Sequence, residues 1–276
     1  MLSAFFYKRR ENMDPQEQGW TWDQMENFFY ISNQEKTNVV WECRISELRN
    51  PDILQNLLDL YGEGIKATTK DVTVMYLAGW FGYLCGAMHF MSSDGWNVTP
   101  ENINLQLYKN QRGKMLISFI IHSRNLTEQR DKEWVEAFYK EIMNPIYKQM
   151  HSMSDSNHLL HMWYQATHSL YWISDRMKHS ILPERYMLQY EKNMEKFKGG
   201  NPSSCMGMNT ENHPYAKKLI FIENPWDLND PLPLKPSCCL AYQTEGGHLC
   251  YTCPRMKKSE RQDKFHKVLA EHSTTS

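Results

Sequence analysis

A long stretch without formal charge constrains the fold of this chain most. No Lys, Arg, Asp or Glu occurs between Asp71 and Asp94, and the run from Val74 to Met91 is mostly apolar. Such a run is buried either in a bilayer, which takes about 20 apolar residues, or in a protein core. Gly79, Gly82 and Gly86 lie on one helix face, which suits close packing of another element against the helix. These glycines and His89, which lies inside the run, favour burial in a protein core over a membrane span. The sequence therefore predicts a buried core helix.

The rest of the chain mixes helical and strand periodicity, which predicts an α+β fold. We expect an antiparallel sheet packed against several helices, followed by a C-terminal cysteine-rich segment. The predicted helices span 14–28, 50–62, 134–146, 159–177 and 183–198, and the predicted strands span 39–45, 103–108, 115–121 and 219–222. The middle two strands form a hairpin whose turn is Asn110–Gly113.

Composition narrows the possible partners. With 41% hydrophobic residues the chain can build a core, and a net charge of −1 favours neither nucleic acid nor an anionic membrane surface. The first residues place an apolar stretch before Lys8-Arg9-Arg10, the reverse of a secretory signal. We therefore expect a cytoplasmic location. In a reducing compartment, clustered cysteines are more often metal ligands or redox groups than disulfides.

Four of the seven cysteines form one motif. Cys238 and Cys239 are adjacent, ten residues follow, and a Cys-x-x-Cys turn then places Cys250 and Cys253. Four thiolates suit a [2Fe–2S] cluster, with two for each iron. Gly246-Gly247 would let the intervening loop reverse and let backbone N–H groups approach the sulfurs.

The spacing alone leaves two alternatives open. A structural zinc site normally pairs two Cys-x-x-Cys turns, and adjacent cysteines are awkward around one small ion because their side chains diverge in an extended chain. A redox dithiol would use Cys250 and Cys253 but would leave Cys238 and Cys239 unexplained. A zinc-stabilised binding or interaction protein without redox activity is thus the alternative function.

The run Cys-Cys-x10-Cys-x2-Cys-Pro over residues 237–254 resembles the signature of the FhuF-type ferric siderophore reductases. This resemblance implies a [2Fe–2S] cluster held by Cys238, Cys239, Cys250 and Cys253, with no catalytic residue beyond the cluster. It also implies a cytosolic enzyme, an oxidoreductase that reduces the iron of a ferric siderophore by one electron. Because the chain has no dinucleotide fingerprint, the electron would come from a ferredoxin or a nicotinamide-dependent reductase. A related siderophore-synthetase role ranks low, since no phosphate-binding glycine motif occurs.

These inferences divide the chain into three parts. Residues 1–224 form the α+β main domain that binds the siderophore, residues 225–256 bind the cluster, and residues 257–276 form a basic, polar tail. Four prolines between Pro225 and Pro236 predict a stiff, extended arm before the cysteines. We expect a monomer with no membrane span and no nucleic-acid partner.

Substrate residues are predicted more weakly. Three histidines lie near one another on a helical wheel, and three arginines follow predicted strand or helix ends, so both sets are candidates for an anionic chelate. They are His158, His161 and His168, and Arg124, Arg176 and Arg185. His248 lies between cluster cysteines and is a candidate hydrogen-bond partner. Cys43 and Cys85 are expected in the core, and Cys205 has no assigned role.

Overall fold

A computed structural model of the chain describes residues 20–128, 133–155, 159–201, 205–208 and 213–273. Its helices are amphipathic or buried segments that surround one mixed sheet, so the α+β prediction is confirmed. The helices are α1 (Trp22–Phe29), α2 (Pro51–Gly64), α3 (Lys70–Ser93), α4 (Glu133–Phe138), α5 (Asn144–Ser152), α6 (Leu159–Lys178), α7 (Glu184–Lys198) and α8 (Lys258–Ser273).

The main sheet has four strands in the order β1-β5-β4-β2. They are β1 (Ile31–Ser32), β2 (Val39–Arg44), β4 (Asn104–Lys109) and β5 (Met115–Ile120). The predicted hairpin is present: β4 and β5 pair antiparallel, and the turn between them places Gly113 at a positive φ of 72°. The short edge strand β1 pairs parallel to β5, so the sheet is antiparallel except at that edge.

Helix α3 is the predicted core helix, and it packs along α6. Two of its glycines are required by this packing. A Cβ on Gly82 would lie 2.6 Å from the Cα of Ala166, and a Cβ on Gly86 would lie 2.3 Å from Cδ1 of Ile173. Within the described ranges no helix has the length and apolar character to cross a membrane. The apolar side chains of the uncharged run are thus buried by packing against the rest of the protein.

Three local predictions were wrong. The first helix does not run unbroken to Phe28, because Thr21 is extended and caps α1 by accepting from the backbone N–H of Gln24; its predicted start at Asp14 lies outside the described residues. The helix predicted over 134–146 is interrupted by a π-helical turn at Tyr139–Met143. Only Phe221–Ile222 of the last predicted strand is extended, and we call it β7.

The proline-rich arm is also not a free extended spacer. It turns back on itself, and β8 (Leu232–Pro233) pairs antiparallel with β7. The side chain of Asn224 bridges this turn by donating to the carbonyl of Asp230. A second small pair joins β3 (Trp96–Asn97) to β6 (Thr127–Glu128). The two ends of the arm therefore lie close together, and the cysteines that follow it lie directly against the main domain.

Candidate metal centre

The cysteine segment folds back on itself through two left-handed residues. Leu240, directly after the adjacent cysteines, has a φ of 60°, and Gly246 has a φ of 70°. The turn leaves no room for a larger residue at Gly247, where a Cβ would lie 2.2 Å from the carbonyl oxygen of Ala241. The backbone N–H of Lys235 donates to the carbonyl of Thr252 at 3.0 Å, which holds the two ends of the loop together.

This fold brings the four sulfurs together as two pairs. Cys238 Sγ lies 3.6 Å from Cys253 Sγ, and Cys239 and Cys250 lie close enough for each thiol to shift the pKa of the other. Each pair joins one of the adjacent cysteines to one cysteine of the Cys-x-x-Cys turn. Adjacent side chains therefore point to different partners, as extended backbone geometry dictates.

The paired arrangement suits two metal ions better than one. A single tetrahedral zinc ion needs four ligands that converge on one point. Each of the two pairs described above offers only two sulfurs. A [2Fe–2S] cluster needs two thiolates on each of two irons, which is what two separate sulfur pairs offer. The donor set therefore fits the cluster.

Positive charge lies against one of these pairs. The Nζ atom of Lys235 is 3.4 Å from Cys239 Sγ. A hydrogen bond from the Cys250 thiol and the ammonium of Lys235 lower the pKa of Cys239 to about 5, against the opposing effect of burial. The same hydrogen bond raises the pKa of Cys250, because its proton is held by Cys239. Burial raises the pKa of Cys238 to about 11. Cys239 is thus the sulfur best prepared to act as a thiolate.

Backbone hydrogen bonding to sulfur comes from a residue that the sequence did not indicate. The N–H of Leu240 points to Cys238 Sγ at 3.4 Å, a contact that the left-handed conformation of Leu240 allows. The N–H of Gly247, expected near the sulfurs, donates instead to the carbonyl of Thr244. Such N–H···S contacts are one of the means by which a protein sets a cluster's potential.

Helix α6 anchors the start of the segment. Gln165 is buried in this helix, and its Nε2 donates to both the carbonyl and the Oγ of Ser237, at 2.9 and 2.6 Å. Ser237 in turn donates to the carbonyl of His161 at 2.9 Å. Buried hydrogen bonds of this kind are expensive to break, so they fix the residue that precedes Cys238.

The loop after α2 anchors the middle of the segment. Thr68 donates through both its backbone N–H and its hydroxyl to the carbonyl of Gln243. The N–H of Glu245 donates to the carbonyl of Lys66, and Ala67 forms a β-bridge with Thr244. The long loop between the two cysteine pairs is therefore held against the main domain.

Helix α8 anchors the end of the segment, where the sequence had indicated only a basic, polar tail. The guanidinium of Arg261 donates to the carbonyls of Tyr251 and Cys253, at 3.0 and 2.7 Å. Lys264 donates to the carbonyl of Leu249 at 3.1 Å. Two cationic side chains thus satisfy the backbone around the Cys-x-x-Cys turn.

We expect Arg261→Gln to loosen this turn. Losing charge-assisted hydrogen bonds to two carbonyls should make local opening easier by about 2 kcal/mol, which is roughly a 30-fold faster loss of iron to an external chelator. The decay of the visible absorption of the holoprotein under excess chelator measures that rate.

Lys267→Gln is the matched control, because it removes the same charge from an exposed position of the same helix. Its rate should stay near that of the wild type. Equal rates for the two variants would mean that Arg261 acts only through its charge.

The weaker candidates fall in different places. His168 lies beside the sulfurs in a cavity with Lys235 and Cys239, whereas the side chains of His161, His248, Arg124 and Arg185 are exposed. Arg176 packs over the rings of Tyr30 and Tyr83. His158 lies outside the described residues. Cys85 and Cys205 are buried and Cys43 is half-buried, all outside the motif.

Sequence patterns did not indicate Gln165 or Arg261. Neither belongs to a motif, and each acts through backbone carbonyls that only the fold brings within reach. The basic composition of the tail was the single available signal for Arg261.

One comparison with known proteins gives a match. The family model described as the FhuF 2Fe–2S C-terminal domain matches residues 237–255. No curated protein and no solved structure matches the chain. The match confirms the FhuF-type resemblance for this segment and identifies its cofactor as a [2Fe–2S] cluster. The C-terminal segment is accordingly similar to an iron–sulfur redox domain.

Proposed function

We propose that this protein is a ferric siderophore reductase, which reduces chelated Fe(III) to Fe(II) by one electron. The proposal assigns Cys238, Cys239, Cys250 and Cys253 as the cluster ligands. One observation carries it: four cysteines form two sulfur pairs inside a segment that matches a 2Fe–2S family domain. A [2Fe–2S] cluster, when bound, supplies electrons one at a time.

The chemistry of the substrate agrees with a one-electron carrier. Siderophores hold iron through hard oxygen ligands, which favour Fe(III) over the softer Fe(II). Adding one electron weakens the chelate, so the iron leaves and the freed oxygens take up protons. We assign no acid or base of the protein to this step. Its residues hold the sulfurs in place, through Gln165, Thr68 and Arg261, and offset their charge through Lys235.

The electron is proposed to come from a separate protein, a ferredoxin or a nicotinamide-dependent reductase, because the sequence has no dinucleotide fingerprint. Residues 1–224 are proposed to bind the chelate and residues 225–256 the cluster. Helix α8, within 257–276, adds a structural contact to the cluster segment. A cytosolic monomer fits this scheme.

Anaerobic mixing tests the function directly. The holoprotein is reduced with dithionite, freed of excess reductant and mixed with a panel of ferric chelates that differ in charge and ligand type. We expect the cluster absorption of the oxidised state to return, with one Fe(II) formed for each cluster oxidised. A colourless protein that purifies with zinc would favour the alternative of a binding protein without redox activity. A red-brown protein that no ferric chelate reoxidises would exclude the reductase.

A further inference from the structure

A cavity of about 440 Å³ lies directly beside one of the sulfur pairs. It is formed between α3, α6 and the start of β5, and Cys239 and Lys235 line one end of it. Volumes of this size are typical of small-molecule sites. Since several lining side chains are half-buried, the cavity also opens to solvent.

Aromatic rings form the walls, and their positions are fixed. The ring of Tyr30 lies edge-on to Trp80 and Tyr83, with centroids 4.7 and 4.8 Å away. Behind them, the guanidinium of Arg176 stacks on Tyr30 and Tyr83 at 5.4 and 5.0 Å, and it donates to the carbonyl of Asn27. Trp80 donates to the hydroxyl of Tyr61 at 2.6 Å. These contacts hold the aromatic walls in position.

One lining residue presents an unused hydrogen-bond donor. His168 Nε2 accepts from the indole N–H of Trp172 at 3.0 Å, so the ring proton must lie on Nδ1. That Nδ1 atom is buried and has no partner among the described residues. Burial, with Lys235 nearby, lowers the pKa of His168 to about 3, so the ring is neutral at physiological pH. This buried donor is therefore available to a ligand that brings an acceptor into the cavity.

The cavity is kept open by a glycine that packing does not require. Gly79 lies on α3 one turn before Gly82, and it lines the cavity. Unlike Gly82, Gly79 has free space beside it, because an added Cβ would meet only Ser169 Oγ at 3.8 Å. Glycine inside a helix is less stable than alanine, so Gly79 lowers the stability of α3 without any packing reason.

The charges of the lining residues indicate which class of ligand the cavity can bind. No Asp or Glu is among the described residues that line the cavity, and its single cation, Lys235, lies against the sulfur of Cys239. A cationic ligand would therefore find no carboxylate here, and a polyanion would find no cation free of the sulfurs. Aromatic faces with a neutral N–H donor suit an uncharged ligand that carries hydrogen-bond-accepting oxygens.

We propose that this cavity binds the ferric chelate, as an oxygen-ligated complex without net charge, with its iron at the end lined by Cys239. This assignment rests on the proposed function. One electron supplied by the cluster would enter the bound Fe(III) from the Cys239 side and give Fe(II). No covalent bond to the protein would form, and the external donor would return one electron to the cluster. His168 would donate to a chelate oxygen, and the aromatic walls would pack against the apolar body of the chelate.

The test fills the cavity at Gly79. In oxidised holoprotein, Gly79→Leu places a side chain into the cavity, and Gly79→Ala is the matched control that adds only the tolerated Cβ. The ligand is an uncharged Ga(III) trihydroxamate complex, because gallium resembles ferric iron but accepts no electron. Isothermal titration calorimetry gives Kd, and absorption and iron content report the cluster.

We expect the Leu variant to bind roughly tenfold more weakly, because its side chain occupies volume that the ligand needs. The Ala variant should bind like the wild type, and both should retain the cluster. Equal affinity of the Leu and Ala variants, or no binding by the wild type, would overturn the assignment. A trianionic Ga(III) tris-catecholate should bind more weakly than the uncharged complex, and tighter binding would overturn the assigned charge.

Failure of this site is distinguishable from failure of the function. If wild-type protein reduces ferric chelates and Gly79→Leu reduces them equally well, the reductase stands and the cavity is not its binding site. If wild-type protein binds the gallium complex in the cavity but no ferric chelate reoxidises its cluster, the site stands and the reductase does not.

Discussion

Replacing Cys250 by serine should leave the protein colourless and unable to reduce a ferric chelate. The serine oxygen keeps the size of the thiol but removes the soft thiolate that iron–sulfur clusters require. It also breaks the Cys239–Cys250 pair, so one iron would keep a single cysteine. Iron content should fall from about two atoms per chain to near zero. Metal analysis, absorption and single-turnover kinetics with a ferric chelate measure the change.

Cys205→Ser is the matched control, because Cys205 is buried outside the motif. That variant should keep its iron, colour and turnover. Full colour and turnover in Cys250→Ser would remove Cys250 from the ligand set. Loss of colour in both variants would instead indicate that folding, and not ligation, was disturbed.

Acid should destabilise this protein strongly between pH 6.5 and 4. His89 and His213 are 1% and 4% exposed, and both rings contact Phe197 in the core. Burial, with smaller contributions from nearby positive groups, lowers the pKa of His89 to about 3 and that of His213 to about 4. Both side chains are therefore neutral in the folded protein at neutral pH, whereas an unfolded histidine titrates near 6.5.

The direction of the effect follows from proton binding. Below pH 6.5 the unfolded chain takes up protons at both histidines and the folded chain does not, so falling pH favours unfolding. The stability that the two neutral histidines preserve is fully present above pH 6.5, and it is lost as the pH falls towards their folded-state pKa values of about 4 and about 3. At pH 5, each histidine should lower the free energy of unfolding by about 2 kcal/mol relative to neutral pH, and the two together by about 4 kcal/mol. Chemical denaturation at pH 7.5, 6 and 5 measures this dependence.

Replacing both histidines isolates their contribution. The double variant His89→Gln and His213→Gln should be less stable at pH 7.5 but should lose about 4 kcal/mol less than the wild type between pH 7.5 and 5. His266→Gln, on the exposed face of α8, should keep the wild-type dependence. An unchanged slope in the double variant would place the acid sensitivity elsewhere.

Much of the fold follows from local patterns. The uncharged run predicted α3, and alternation with a glycine turn predicted the β4–β5 hairpin, because burial and turn geometry act on neighbouring residues. Predictions failed where a distant partner decided the outcome. The proline-rich arm forms a hairpin because β7 is available to pair with β8. The glycines of α3 looked alike in sequence, yet Gly82 meets Ala166 while Gly79 meets a cavity.

The cysteine motif shows the same division. The sequence by itself indicated that four cysteines at this spacing form a metal site or a redox pair, since clustered thiolates in a reducing compartment either bind metal or react with one another. The 2Fe–2S family match then identified the cofactor. Only the tertiary structure decided which sulfurs pair, which side chains hold the loop, and which sulfur faces a cavity. Those outcomes depend on α6, α8 and the loop after α2, whose residues lie far from the motif in sequence and meet it only through packing.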